Sequence, residues 1–309
     1  PLPGTRIRIM RLFAVALVLE VSGAFQVGGY LENWKSYQGY DKFNTVYYAF
    51  LALDVKPNPD KPQTKQWDGK AIYETMTLGP VDVVMNKTEP LWKNPYEWQR
   101  TKVQAVMDAC ASAGTKFIWS VGGWSDLTMT ISDSQIPLFT EKVVNLLKLG
   151  GDGVDFDWEH LSTGSSAEIV QQQRAIVGKM ITALRQALNA DGMSGKTISY
   201  TTRWNCFWTS ADAAKYGALP FDSDGECLDT FKHASVSDVS WVNLMMYDAA
   251  PGSAFDGVQY FGFEQYRAVL ELAGSVVGKD KIVLGFETGD QAEGGVWEGF
   301  DIDLQVVDY

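Results

Sequence analysis

The sequence predicts an α/β fold in which parallel strands form a barrel surrounded by helices. Short apolar runs alternate along the chain with stretches of helical period, which is the pattern of strand–helix units around a parallel sheet. The chain has 309 residues, and α/β barrels routinely use about 200–250 residues in one domain. Its 46% hydrophobic and 21% charged residues are ordinary for a globular protein and exclude a disordered, collagen-like or coiled-coil chain.

The order of the predicted elements supports this fold. Each predicted strand is a short apolar run, and most of these runs are separated by segments in which apolar residues recur every three or four positions. The predicted strands are 26–31, 45–52, 116–122, 152–158, 197–203, 240–247 and 281–286, and the predicted helices are 97–113, 135–149, 166–190 and 262–277.

Residues 53–96 interrupt this alternation. The segment contains several prolines, among them Pro57, Pro80 and Pro95, and proline is rare inside helices and central strands. We interpret the segment as a long excursion from the end of the second strand and not as a linker. Barrels of this kind build their sites from such loops.

The first residues predict export. An arginine precedes the apolar run 12–19, and a small-x-small sequence follows it, which is the order of parts in a secretory signal peptide extending from Met10 to Ala24. We therefore divide the chain into 1–24, upstream residues plus the signal, and 25–309, one barrel. A secreted or extracellular protein is expected. A buried N-terminal strand is the alternative, since Glu20 shortens the apolar run.

The charge balance argues against polyanionic partners. Lys and Arg number 26 against 38 Asp and Glu, a net charge of −12, so the chain has no basic field to attract nucleic acid or anionic lipid. No apolar stretch after residue 24 reaches the roughly 18 residues of a membrane helix. We expect a monomer that uses no cofactor and no metal, binds no nucleic acid and contacts no membrane once the signal is removed.

The three cysteines are too few for a disulfide framework, and none forms a CxxC pair with metal-ligand spacing. Cys206 and Cys227 both lie in a loop-rich stretch. In an oxidising compartment they either pair or stay reduced, and the sequence leaves both outcomes open. Cys110 lies in a helical pattern, where a buried and unreactive thiol is expected.

Three carboxylates occupy alternate positions at the predicted strand 152–158. Alternate side chains of a strand share a face, so Asp155, Asp157 and Glu159 point to one side, about 6–7 Å apart, while the apolar residues between them face the helices. Partly buried like charges raise one another's pKa and each needs a hydrogen bond or a proton, which suits acid–base chemistry. A solvated edge strand and a calcium site are alternatives, although calcium ligands usually come from a turn with glycine at the bend.

Residues 152–159, Asp-Gly-Val-Asp-Phe-Asp-Trp-Glu, resemble the DGxDxDxE signature of glycoside hydrolase family 18, the chitinases and their relatives. Four other segments are similar to strands of that family in the same order. They are 29–34 for the first strand, 48–50 for the second, 120–124 for the SxGG third strand and 245–248 for the MxYD sixth strand. The likeness spans residue 27 to about residue 309 and implies a (β/α)8 TIM barrel with O-glycosyl hydrolase activity.

The resemblance also implies catalytic roles. Glu159 is similar to the general acid that protonates the glycosidic oxygen. Asp157 is similar to the residue that holds the substrate's acetamido nitrogen while the acetamido carbonyl oxygen attacks the anomeric carbon. Asp155 would share a proton with Asp157, helped by Tyr30 and Ser120. The substrate's own acetamide then replaces an enzyme nucleophile, and the configuration is retained.

Further residues are expected to contact the sugar. The resemblance implies that Tyr247 donates to the acetamido oxygen and that Asp248 helps to hold the sugar, with Met245 on the same strand face as Tyr247. Gly122 and Gly123 leave space beside the carboxylates, mark a tight strand end, or both. The tryptophans expected to stack on sugar rings, although tryptophan also packs in cores, are Trp124, Trp204 and Trp297.

Three functions are compatible with these motifs. The leading one is an endo-acting hydrolase of β-1,4-linked N-acetylglucosamine polymers, with chitin or N-acetylglucosamine oligosaccharides as its ligands. An endo-β-N-acetylglucosaminidase acting on N-glycans would share the carboxylate signature. A non-catalytic chitin-binding lectin would keep the barrel and lose the acid. Glu159 separates enzyme from lectin, and this chain has it.

The last residues predict an incomplete barrel. After the seventh strand only about fifteen residues precede 301–309, which begins with an Asp cap and resembles the start of a helix. If 294–297 were the eighth strand, too few residues would remain for a parallel crossover, which needs about a dozen or more. We therefore expect the chain to stop before the eighth strand, with unpaired edges on the first and seventh strands.

Overall fold

The computed structural model describes residues 13–19, 25–32, 39–57, 65–74, 97–123, 129–158, 167–204, 206–209, 211–212, 225–246 and 263–286. The described strands form one ten-stranded sheet. In chain order they are β1 (Phe13–Leu19), β2 (Phe25–Glu32), β3 (Thr45–Pro57), β4 (Lys65–Glu74), β5 (Lys116–Gly122), β6 (Met129–Thr130), β7 (Gly153–Asp157), β8 (Thr197–Arg203), β9 (Trp241–Met245) and β10 (Ile282–Phe286).

Seven strands of this sheet run parallel and form the wall of the barrel. β2 pairs with β3 and β3 with β5, and the pairing then continues in chain order through β7, β8, β9 and β10. Each of the seven begins within one residue of its predicted start. The predicted α/β barrel is confirmed.

The position between β10 and β2 is filled by β1. This strand runs antiparallel to both neighbours, and Val15 lies opposite Phe286 on β10 and Gly29 on β2. The expectation of unpaired edges on the first and seventh parallel strands was therefore wrong for the full chain, in which an apolar run outside the predicted barrel pairs with both. The structure has this segment as a strand, which was the alternative to a signal peptide. Export by a signal over residues 10–24 stays a prediction. Residues 287–309 lie outside the described residues.

Helices follow the parallel strands as predicted. Four of them begin and end within one residue of the predicted ranges, and the short α4 was not predicted. None of the described helices is long and apolar enough to cross a membrane. In chain order the helices are α1 (Glu97–Ala113), α2 (Ile136–Leu149), α3 (Ala167–Ala190), α4 (Glu226–Thr230) and α5 (Phe263–Val277).

The main core lies between the outer face of the barrel and the helices. Val154, Phe156 and Trp158 of β7 and its end are buried in it, and the Phe156 ring packs on Phe139 of α2 with centroids 5.9 Å apart. These are the apolar residues that alternate with the carboxylates. Their outward direction places the aspartates of β7 inside the barrel.

The excursion after the second parallel strand contains sheet structure that was not predicted. β3 continues five residues beyond the predicted end at residue 52, to Pro57, and pairs antiparallel with β4, with Leu51 opposite Glu74. The prolines of the segment conceal this hairpin, because Pro57 lies at the strand end, where a missing N–H is tolerated. Residues 75–96 lie outside the described residues.

Three cationic side chains hold together the segments at the amino-terminal ends of the barrel strands by hydrogen bonds to main-chain carbonyls. Arg185 on α3, Lys196 before β8 and Lys281 before β10 each donate to segments that lead into β7, β8 or β9. Burial lowers the pKa of Arg185 and of Lys281, although each keeps its carbonyl partners. The carbonyls are those of Ser194, Lys196 and Asp238 for Arg185, of Gly151 for Lys196, and of Val236 and Val239 for Lys281.

Candidate active site inside the barrel

The predicted row of carboxylates begins on β7, whose inner face carries Asp155 and Asp157. Asp155 is fully buried and Asp157 is 4% exposed. The parallel register places Ser120 of β5 and Ser199 of β8 beside Asp155. Asp157 lies one inward-facing step nearer the carboxyl ends of the strands, the end at which barrels of this type carry their sites.

Four hydroxyl groups surround the Asp155 carboxylate. Its Oδ2 accepts hydrogen bonds from Tyr30 at 3.0 Å and Ser120 at 2.9 Å. Its Oδ1 accepts from Ser199 at 2.7 Å and Thr201 at 2.8 Å. Burial raises the pKa of Asp155 above its ordinary value, while the four hydroxyl bonds lower it. The donors replace the water that the buried carboxylate has lost.

An amide on β9 joins the same network. Asn243 Nδ2 lies 2.7 Å from Thr201 Oγ1 and 3.4 Å from Asp155 Oδ1. Its Oδ1 accepts from the Tyr47 hydroxyl at 3.2 Å. The Trp241 indole N–H donates in turn to the Tyr47 oxygen at 2.8 Å.

Tyr30 lies where the resemblance implied, against Asp155. Its ring stacks on Tyr47 with centroids 4.5 Å apart, and its hydroxyl lies 2.6 Å from Thr201 Oγ1. Burial first, and then the charges of Asp155 and Asp157, raise the pKa of Tyr30 well above its ordinary value. The phenol therefore keeps its proton and acts as a donor.

Gly122 and Gly123 end β5 with left-handed backbone, at φ 113° and 83°. A Cβ on Gly122 would lie 2.0 Å from the Asp157 carbonyl oxygen, and one on Gly123 would lie 2.9 Å from the Phe50 ring. The Gly123 N–H donates to the same carbonyl at 2.8 Å. The described contacts thus show the tight strand end: the space that the glycines leave is filled by the main chain of β7 and by Phe50.

Of the residues expected to contact the sugar near the end of β9, the structure describes Met245. It is half-buried and lies opposite Arg203 of β8 and Gly285 of β10 in the sheet. Several other predicted site residues lie outside the described part of the chain. The residues outside the described ranges are Trp124, Glu159, Tyr247, Asp248 and Trp297.

Trp204 does not fit the sugar-stacking role expected for it. It is 2% exposed and belongs to the hydrophobic core. Its ring packs edge to face on Trp208, with centroids 5.2 Å apart. A tryptophan directly after a strand is compatible with either role, and here it packs with the second tryptophan, which enters the core four residues later.

A buried ion pair that no sequence pattern predicted fixes the end of β8. Glu226 of α4 is 1% exposed and accepts from Arg203 at 2.6 Å. Thr202 and Tyr200 also donate to it, at 3.3 and 3.4 Å. No periodicity marks Glu226, because it lies in a five-residue helix within a loop-rich segment.

Cys206 and Cys227 are buried neighbours with free thiols in this structure. The Cys227 N–H donates to the Cys206 carbonyl at 2.9 Å. Burial raises the pKa of the Cys227 thiol well above its ordinary value, and Cys206 raises it further. Pairing in an oxidising compartment is the other of the two outcomes that the sequence leaves open. Burial raises the pKa of Cys110 to about 12, as expected for an unreactive thiol.

Two of the four hydroxyls around Asp155, those of Ser199 and Thr201, and the Asn243 amide were also missed, although a signal for them exists. Strand 197–203 has polar residues at alternate positions, of which Ser199 and Thr201 face Asp155, and Asn243 interrupts an otherwise apolar strand. Polar residues on the inner face of a buried strand need partners there. That pattern, applied to every strand, would have pointed to the same interior.

Two neighbouring carboxyls on one strand face can hold a proton between them and present negative charge to a ligand N–H group. Asp155 lies deeper and is held by its donors, whereas Asp157 lies nearer the open end. In the part of the chain that the structure describes, no group of three or more His, Cys, Asp or Glu side chains is arranged to hold a metal ion. The described chemistry of the site is that of carboxyl groups.

Comparisons with known proteins match most of the chain. The sequence model of the family described as Glycosyl hydrolases family 18 matches residues 26–292. Chitinase A1 of Niallia circulans is 24% identical over 264 residues, which cover 74% of this chain and 35% of that protein. Sporulation-specific chitinase 2 of Saccharomyces cerevisiae is 23% identical over 184 residues, which cover 54% of this chain and 35% of that protein. The matches therefore span about a third of the length of these relatives.

A similar solved structure is the crystal structure of the Ostrinia furnacalis Group II chitinase catalytic domain 2. It covers 83% of this chain and 62% of the solved chain, with 18% sequence identity and a TM-score of 0.48.

Proposed function

Because the chain belongs to glycosyl hydrolase family 18, we propose that it hydrolyses β-1,4-linked N-acetylglucosamine polymers, that is chitin, by endo cleavage. The observation that carries the proposal is the inner face of β7, where Asp155 and Asp157 are buried inside the barrel and four hydroxyls donate to Asp155. Both curated relatives are named chitinases. Their names favour chitin over the core of an N-glycan as the substrate.

In the proposed mechanism Glu159 is the general acid. It is the next alternate position in the sequence after Asp157, and strand alternation predicts that such a position faces inward. Its proton passes to the glycosidic oxygen as the bond from that oxygen to the anomeric carbon breaks. The carbonyl oxygen of the substrate's acetamide forms the new bond to the anomeric carbon, which closes a five-membered ring with positive charge shared by oxygen and nitrogen.

Asp157 stabilises that charge by accepting the N–H of the acetamide, while Asp155 remains in place behind it. Water then attacks the anomeric carbon from the side of the departed sugar, gives its proton to Glu159 and reopens the ring. Two displacements at one carbon retain its configuration. We assign Tyr247 as a donor to the acetamido oxygen, and Asp248 with Met245 as sugar contacts.

Export is a second part of the proposal. The segment from Met10 to Ala24 has the parts of a secretory signal peptide, and chitin is an extracellular polymer too large to enter a cell. Expression of the natural gene in a secreting host, followed by N-terminal sequencing, tests this. Recovery from the medium with residue 25 as the first residue supports export, and recovery from the cells with residues 10–24 attached contradicts it.

Glu159→Gln tests the catalytic assignment. The amide keeps the shape of the side chain but has no proton to donate, so kcat should fall by about 10²–10⁴-fold while binding of N-acetylglucosamine oligomers is retained. Glu141→Gln is the matched control, because Glu141 is exposed on α2. A Glu159→Gln protein that hydrolyses at the wild-type rate would end the assignment.

Product analysis separates the substrate alternatives. The wild-type protein is incubated with chitin oligomers and, in parallel, with an N-glycopeptide. Cleavage of internal bonds in the oligomers supports the proposal, and cleavage of the glycopeptide alone indicates an endo-β-N-acetylglucosaminidase. Binding of oligomers without cleavage of either substrate would indicate a lectin.

A further inference from the structure

A chain of hydrogen bonds crosses the interior of the barrel from Trp241 to Asp155. The Trp241 indole nitrogen lies 2.8 Å from the Tyr47 oxygen, and that oxygen lies 3.2 Å from Asn243 Oδ1. Asn243 Nδ2 lies 2.7 Å from Thr201 Oγ1, which lies 2.8 Å from Asp155 Oδ1. All five residues are 6% exposed or less.

The indole end of this chain determines its direction. An indole N–H can only donate. The Tyr47 oxygen therefore accepts from Trp241 and directs its own proton to Asn243 Oδ1. This fixes the amide orientation of Asn243, so that its NH2 group faces Thr201 and Asp155. Every proton in the chain points toward the aspartate.

We propose that Asn243 is a positioning residue that holds Asp155 in its ionised form and keeps the orientation of the carboxylate fixed. The proposal deepens the proposed hydrolase function and rests on it. Bonds that point the same way polarise one another, which favours negative charge at the accepting end. With the charge held on Asp155, Asp157 is the member of the pair that is left to face the substrate's acetamide.

The other titratable groups that face Asp155 among the described residues come from three strands. Tyr30 of β2 and Tyr47 of β3 have pKa values raised by burial and by the charge of Asp155, so both stay neutral donors. Asp157 lies on the same strand as Asp155. The described partners of Asp155 on β5, β8 and β9 are hydroxyls and an amide, which do not titrate. Arg203, farther along β8, is bound to Glu226.

The test is the pH profile of kcat/KM on chitin oligomers. Asn243→Leu removes the donor while keeping a side chain of similar size, so the acid limb should move to higher pH by about one unit. Asn243→Asp places a second carboxylate beside Asp155 and should move the limb farther in the same direction. Leu244→Val is the matched control, since Leu244 is buried in the core on the opposite face of β9. It should leave the limb in place.

Tyr47→Phe provides a second route to the same conclusion. It keeps the stacked ring and removes the hydroxyl that orients the Asn243 amide. The acid limb should again move to higher pH, by less than in Asn243→Leu. This variant decides the question if neither Asn243 variant folds.

A second readout does not depend on hydrolysis. The free energy of unfolding is measured in urea over a range of pH for the wild type and for Asn243→Leu. The Asn243 donor stabilises the charged form of Asp155, so the ratio of the variant's unfolding constant to that of the wild type should rise about tenfold as pH passes through the titration, for a pKa difference of one unit.

The two readouts separate the inference from the proposed function. If the wild type hydrolyses no oligomer, the proposed function fails, and the unfolding titration still decides the role of Asn243. If the wild type is active but the acid limbs of all variants coincide with its own, and the ratio of unfolding constants does not change with pH, the inference is overturned.

Discussion

Replacing Gly122 with alanine places a methyl group between β5 and β7, opposite Asp157. The new Cβ would lie 2.0 Å from the Asp157 carbonyl oxygen. Contacts under 3.0 Å are essentially never found for a real Cβ, so the two strands must separate there by about 1.0 Å, the difference between these distances. The same carbonyl accepts the Gly123 N–H at 2.8 Å, and this bond would be lost or lengthened.

The expected cost follows from these two effects. Left-handed backbone costs a non-glycine residue about 1–2 kcal/mol, and loss of a buried hydrogen bond adds about 1–3 kcal/mol. We therefore expect Gly122→Ala to lower the free energy of unfolding by about 3 kcal/mol. Because Asp157 moves with its carbonyl, and a misplacement of about 1 Å costs roughly 10²-fold in rate, we expect hydrolysis of chitin oligomers to fall by a similar factor.

Gly114→Ala is the matched control for this experiment. Gly114 also has a positive φ, 72°, but a Cβ there would meet nothing within 4 Å. It should cost about 1 kcal/mol from backbone strain alone and leave kcat unchanged. Urea unfolding and oligomer hydrolysis are measured for both variants and the wild type. Equal losses of stability in the two variants, or full activity in Gly122→Ala, would show that the close approach does not determine the position of Asp157.

Three further predictions address the chemistry of the carboxylates and the cysteines. Fully deacetylated oligomers should bind without turnover, because they lack the acetamide carbonyl that attacks the anomeric carbon. Asp157→Asn should lower kcat, because the variant lacks the charge that holds the acetamide N–H. Equal turnover of glucosamine and N-acetylglucosamine oligomers would indicate an enzyme nucleophile instead. Burial raises the folded-state pKa of Asp155 above its ordinary 3.8, so the contribution of Asp155 to stability is full below pH 3.8 and is lost as pH rises through the folded pKa. The free energy of unfolding of Asp155→Asn, measured in urea, should lack this pH dependence. The same pH dependence in the variant and the wild type would contradict the prediction. In protein made in an oxidising compartment, Cys206 and Cys227 should form a disulfide. After unfolding without reductant, these two should resist alkylation and Cys110 should be alkylated. Alkylation of all three cysteines, seen by mass spectrometry, would show that no disulfide forms.

Most of the barrel could be predicted because its signals are local. Each parallel strand is an apolar run whose neighbours are helices of ordinary period, so strand starts were found to within one residue. The segment 13–19 was different, since an apolar run of this length is equally typical of a signal peptide and of a strand. Only pairing with β10 and β2, which depends on residues far away in sequence, distinguishes the two.

The candidate site could be predicted in part for the same reason. Asp155 and Asp157 were found because they alternate with apolar residues on one strand. Asn243 meets Asp155, and Tyr47 meets Asn243, only through the register of five strands around the barrel, which no local pattern contains. Trp204 shows the converse limit: its position after a strand suggested a ligand contact, but packing on a neighbouring tryptophan decides its orientation.

The hydrogen bonds from Arg185, Lys196 and Lys281 to main-chain carbonyls at the amino-terminal end of the barrel matter for protein engineering. Because the acceptors are backbone carbonyls, no change of a partner side chain can remove them, and a library that randomises the opposite rim leaves these contacts intact. Substitutions chosen to change ligand preference can therefore be combined at the carboxyl ends of the strands, while the contacts at the amino-terminal end of the barrel are kept. The three cations themselves are the positions that such a library should leave untouched.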